Sequence, residues 1–75
     1  MSNNENTSEF MTPREKAEEI TLLYYNLGKH LYVPISFAKQ CATIAVDELI
    51  YETQFEVPNI RQRYWIDVKQ EINKL

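Results

Sequence analysis

The densest mixture of basic and aromatic side chains in this sequence is Arg61-Gln62-Arg63-Tyr64-Trp65. Guanidinium groups beside flat rings can hold a phosphate backbone and stack a base, which is how single strands are gripped without readout of sequence. The stretch is short, however, and Asp67 interrupts it. A second cluster is acidic: Asp47, Glu48 and Glu52. Neighbouring carboxylates can act as general acid and base when a pocket drives their pKa values apart. Eleven acidic residues in a chain of seventy-five make such neighbours common by chance. Short helices also offer little of the concave site that a substrate needs.

His30 and Cys41 are each the sole residue of their type. A structural or catalytic metal needs three or four protein ligands, so neither implies one. A reactive thiol requires a basic or helix-N-terminal setting. Cys41 stands among alanines instead and reads as a small core residue. His30 reads as a loop imidazole. No GxSxG, HExxH, CxxC or phosphate-binding glycine loop is present, and the chain has one glycine. The expectation is a protein without cofactor, metal site or enzymatic activity.

The elements that position these residues are helical. Thr12-Pro13-Arg14-Glu15 is a helix start: a threonine cap, proline at the first helical position and glutamate three after the cap. The apolar stripe that follows is Ala17, Ile20, Tyr24 and Leu27, with Leu23 beside it. Gly28 reads as a C-terminal glycine cap. Residues 29–35 form an unusually apolar connection closed by Pro34, after which Ser36 is the expected cap of a second helix. That helix is apolar around most of its circumference. Ala38, Cys41, Ala42, Ala45 and Leu49 make one face at helical spacing. Phe37, Ile44 and Tyr51 extend it on one side, Val46, Ile50 and Thr53 on the other. So wide an arc needs two neighbours to bury it. Alanine at position 45 predicts a close helix contact there. Asn59 is the candidate cap of a third helix, whose seam is Arg61, Trp65, Val68, Ile72 and Leu75, with Tyr64 alongside.

The predicted fold is all-α. A three-helix domain spans residues 12–75, with helices over about 13–28, 36–53 and 60–74 and the middle one sandwiched. Residues 1–11 are polar and low in complexity, which predicts a flexible tail. Asp47, Glu48 and Glu52 lie against the dipole in the C-terminal half of the second helix, and Arg61 and Arg63 against that of the third. The short connection predicts that these charges pair across the junction.

Seventy-five residues make one domain with a small core, and such domains are marginal without a disulfide, a metal or a partner. A single cysteine excludes an internal disulfide framework. The net charge of −3 argues against a general nucleic-acid binder, which carries a basic field. No apolar run approaches the roughly 20 residues of a membrane span. The N-terminus lacks the basic and apolar regions of a signal peptide.

Three stretches together carry a resemblance: Glu15 to Ile20, Ala38 to Ile50 and Tyr64 to Leu75. With AKQCA…AVDE in the middle and YW…VKQEI at the end, the chain resembles small helical proteins encoded by phages and prophages of Bacteroides-type bacteria. That family has no assigned activity, so the resemblance transfers no site residue. It implies a phage setting, hence the host cytoplasm or the virion. It also implies work through protein contacts, as a minor virion or assembly part or as an inhibitor of a host or defence protein.

The expected function is therefore a protein–protein interaction module, with a homodimer as one form. Five tyrosines, three phenylalanines and a tryptophan exceed what the core needs, and such residues with arginine favour interfaces. The candidate partner-binding residues are Tyr24, Tyr25, Phe37, Tyr51, Arg61, Arg63 and Tyr64. The alternative is a small nucleic-acid-associated regulator using Arg61, Arg63, Tyr64 and Trp65.

Overall fold

A computed structural model describes residues 11–75. The flexible tail expected over residues 1–11 lies outside the described residues, Met11 excepted. Helix α1 spans Pro13–Gly28, a 3-10 turn follows at Lys29–Leu31, α2 spans Ile35–Glu52 and α3 spans Ile60–Lys74. The three helices are those that the periodicity predicts.

Helix α1 starts as its sequence requires. The Glu15 amide donates to Thr12 Oγ1 at 3.1 Å, and the Thr12 amide donates to the Glu15 carboxylate at 3.0 Å. Its end differs from expectation. Gly28 has φ −97° and ψ −2°, a right-handed conformation open to any residue. The left-handed residue is Tyr32, at φ 61° and ψ 34°, whose amide donates to the Lys29 carbonyl at 3.1 Å. Glycine is needed at position 28 for space. A Cβ there would lie 2.9 Å from Val33 Cβ, because Val33 folds back onto the helix end. A tyrosine in the left-handed region costs about 1–2 kcal/mol. The Tyr32 side chain is 93% exposed and has little packing to lose. Tyr32→Gly is thus expected to stabilise the protein by about 0.5–1 kcal/mol after the flexibility cost of glycine. A thermal melt checks this, and an unchanged or lower midpoint would refute it.

Helix α2 begins one residue before the expected serine cap. Pro34, held at φ −72° and ψ 159°, occupies the cap position. Its carbonyl accepts from the amides of Phe37 at 3.0 Å and Ala38 at 3.3 Å. Ser36 falls inside the first turn and caps nothing, because the rigid proline already sets the entry angle. At the other end the buried Thr53 hydroxyl donates to the Leu49 carbonyl at 2.8 Å. Asn59 sits at the cap position of α3, but its side chain makes no capping bond.

Each helix packs on both others. Helix α2 lies against two neighbours, as its wide apolar arc demands, and α1 and α3 also meet directly. The buried cluster is Ala17, Ala42, Val46, Val68 and Ile72. Ile20, Tyr24, Ile50, Tyr64 and Trp65 pack around it. The faces are rotated from those that hydropathy alone predicts. On α2 the buried line is Ala38, Ala42 and Val46, while Cys41, Ala45 and Leu49 are half-buried. On α1 the buried residues are Ala17 and Thr21, and Leu23 and Leu27 are exposed. Small side chains occupy the closest contacts because leucines there would hold the helix axes apart. On α3 the seam holds at Val68 and Ile72, but its first residue, Arg61, is exposed.

Rotating Thr21 inward leaves its buried hydroxyl without a hydrogen-bond partner. Valine has the same shape and no such group. Thr21→Val is expected to raise the urea midpoint by the equivalent of about 1 kcal/mol. A loss of stability would show that the hydroxyl is satisfied.

Helices α2 and α3 run antiparallel. Their register is set by Asp47 Oδ1 to Lys69 Nζ at 2.8 Å and by Gln62 Nε2 donating to the Ile50 carbonyl at 3.4 Å. Both helices rise about 1.5 Å per residue, so these two contacts set Leu75 level with the segment from Phe37 to Cys41. The end of α3 thus lies beside the first turns of α2. Leu27, Leu31, Tyr32 and Ile35 cluster in sequence around the connection between α1 and α2, and all four are exposed.

Candidate interaction surface

The expected partner-binding residues do not form one patch. Tyr24 and Tyr25 are half-buried, on either side of the buried line of α1. Tyr64 is half-buried too. It packs on the core, and its ring meets Trp65 edge-on, with centroids 5.2 Å apart and planes at 82°. Its hydroxyl donates to the Met11 carbonyl at 2.9 Å, which ties the entry of α1 to α3. Phe37 and Tyr51 are exposed. With Ile44 midway they form a line along the back of α2, spaced by seven residues, so its ends are about 21 Å apart. Arg61 and Arg63 are exposed at the start of α3, at the opposite end of the bundle from Phe37.

The charges pair differently from expectation. Arg61 Nη1 meets Glu56 Oε2 at 2.9 Å, within the connection itself. Glu56 is five residues away, and the turn places it nearer than Glu48 or Glu52. The link across the junction is made by Asp47 and Lys69 instead. Arg14 bridges Glu18 at 3.3 Å and Glu71 at 3.4 Å, and Lys74 meets Glu71 at 3.1 Å. The Lys74 hydrogen bond, supported by Arg14, holds the Glu71 carboxyl below the usual glutamate range. These are exposed pairs that set orientation more than stability.

Burial pushes the Tyr64 hydroxyl above its ordinary pKa, and the carboxylates of Glu19 and Glu15 add to the shift. A raised folded-state pKa means that the neutral hydroxyl contributes stability in full below the unfolded value of about 10. That contribution is lost as pH rises through the folded value. Stability should therefore fall as pH rises above the unfolded value of about 10, and Tyr64→Phe should flatten that fall. Urea titrations of both proteins from pH 8 to 11 test this. Parallel curves would show that another group is responsible.

The aromatic and basic residues that could grip a nucleic acid are largely engaged. Tyr64 and Trp65 meet each other and the core, and Arg61 holds Glu56. A shallow groove between α2 and α3 is lined by Ser36, Lys39, Gln40, Thr43, Ile44 and Asn73. It offers one charged group and no acid–base pair. Among the described residues, no group of three potential metal ligands occurs, and no helix is long and apolar enough to cross a membrane.

The prominent outer feature is aliphatic, and a search for aromatic and basic residues misses it. Leu23, Leu27, Leu31 and Ile44 are all exposed. The signal was present in the sequence as apolar residues in excess of one helix face, but periodicity assigned Leu23 and Leu27 to the core. The molecule is thus a small three-helix bundle with a thin core and an apolar outer surface. Compared with protein-family models, curated proteins and solved structures, the chain matches none of them.

Proposed function

We propose that this chain is a non-enzymatic protein–protein interaction module. It is of the kind that phages use as a minor virion or assembly part, or as an inhibitor of a host or defence protein. The phage setting comes from the resemblance of the three helical stretches. The interaction reading is carried by one observation, the inverted distribution of apolar side chains. The fully buried apolar set is three alanines, two valines and one isoleucine, whereas leucines 22, 23, 27 and 31 all stand at least half exposed. Contiguous apolar surface on a small protein usually marks a contact site.

The test is photo-crosslinking in the producing cell. A photoreactive residue at position 27 should give discrete protein adducts, while one at Gln70 should give none. Absence of adducts at position 27 would sink the reading. So would binding of a single-stranded oligonucleotide that weakens steeply with salt, which would favour a nucleic-acid-associated regulator.

A further inference from the structure

We propose that the outer face formed by α1 and α2 is the contact through which two copies of this chain associate. Helical geometry places the face. Arg14 marks the flank of α1 turned toward α3, since it reaches Glu71. Leu23 follows it by nine residues, about two and a half turns, and so lies on the opposite flank. Leu27 and Ile20 stand beside it. On α2 the Ile50 carbonyl, which accepts from Gln62, marks the flank toward α3. Cys41 precedes it by nine residues and therefore lies on the side toward α1. Phe37 and Ile44, one turn before and one turn after Cys41, stand where this side meets the back of α2, with Ile44 also edging the groove toward α3. The two helices are antiparallel neighbours, so both sets look out from the same side.

This surface has the size and the charge that pairing with an identical copy requires. Leu23 is 64% exposed, Leu27 78%, Phe37 52% and Ile44 66%. Their combined apolar area is on the order of 500 Å², near the upper limit of what a monomer leaves in water. With the rim it approaches the roughly 800 Å² per partner of a standard interface. A contact between identical copies brings like charges together, which disfavours association. Here the charges bordering the leucines on α1 cancel: Lys16 Nζ lies 2.6 Å from Glu19 Oε1. The side chains between Phe37 and Ile44 on this face are uncharged, and the exposed Glu48, one turn beyond Ile44, stands at its edge away from the axis. A two-fold axis lying across the helices near Cys41 would set Ile20 against the second copy's Leu23, and Phe37 against its Ile44. Each copy thereby supplies matching apolar layers, as an isologous contact demands. The four helices so joined would form an antiparallel bundle.

The proposal rests on the reading that the apolar surface is used for protein contacts, and its test separates the two. Sedimentation equilibrium of the full chain, from low micromolar to several hundred micromolar, should show a species of twice the chain mass. Leu23→Glu should weaken that dimer on the order of 100-fold, because it sets two carboxylates near the axis of a desolvated contact. The exposure of Leu23 lets the variant keep its fold, which far-UV circular dichroism checks. Leu23→Gln serves if it does not. Phe55→Glu makes the same kind of change at an exposed site at the other end of the molecule and should leave the dimer intact. A dimer that resists Leu23→Glu but yields to Phe55→Glu overturns the proposal by placing the contact elsewhere. A monomer at every concentration also overturns it. Should that monomer still give adducts of foreign mass from position 27, the interaction reading stands and only the second copy is lost.

Discussion

Ile72→Ala is expected to unfold most of the protein at 25 °C. Ile72 is fully buried and is the largest side chain in that state. Truncating such a residue removes its burial and leaves a cavity, at a cost of about 2–5 kcal/mol. A single small core without disulfide or metal supplies about 3–5 kcal/mol in all. The loss is therefore comparable to the whole, and far-UV circular dichroism should show helix content collapsing rather than a modest shift in midpoint. Leu22→Ala, a similar truncation at an exposed site on the outer side of α1, should change stability by less than about 0.5 kcal/mol. Equal effects at the two sites would mean that the buried cluster is not the seat of stability.

Ala42→Leu is expected to be the next most damaging change. Ala42 is fully buried, in line with Ala38 and Val46 and within the cluster shared by all three helices. Leucine there adds three carbons where α1 and α3 both approach, and overpacking of this kind costs about 1–3 kcal/mol. Ala45, three positions further on, is the residue that hydropathy places at an equally close contact. Ala45 is half-buried, so a leucine there can extend toward solvent and should cost less than the Ala42 variant. Urea denaturation of both variants beside the parent orders them. If Ala45→Leu is the costlier, α2 is rotated relative to the orientation described.

Both outcomes matter for the outer face, because core rotation and surface exposure are one variable. A turn of α1 that buried Leu23 and Leu27 would expose Ala17 and Thr21. The bundle would then have a larger core, and the outer face would keep only its α2 half. Stability measurements at buried sites therefore bear on the interaction surface as directly as substitutions within it.

What the sequence determined by itself is what depends on near neighbours. The capping box at Thr12 and Glu15 needs four consecutive residues, and it forms. Three helices separated by proline-containing connections follow from period and punctuation, and their limits fall within a residue or so of those predicted. What only the tertiary structure decided is which way each helix faces. The chain has more apolar residues than one small interior can hold, so hydropathy could not choose among several faces per helix. Close approach chose for it: Ala17, Thr21, Ala38 and Ala42 went inward because they let the backbones meet, and Leu22, Leu23, Leu27 and Leu31 went out. The same holds for the charges. Arg61 took Glu56 because the turn brought that carboxylate nearest, and Lys69 took Asp47 because the antiparallel register set them side by side. The shape of the turn decides the first pair and the distance between helices the second, and hydropathy periodicity encodes neither.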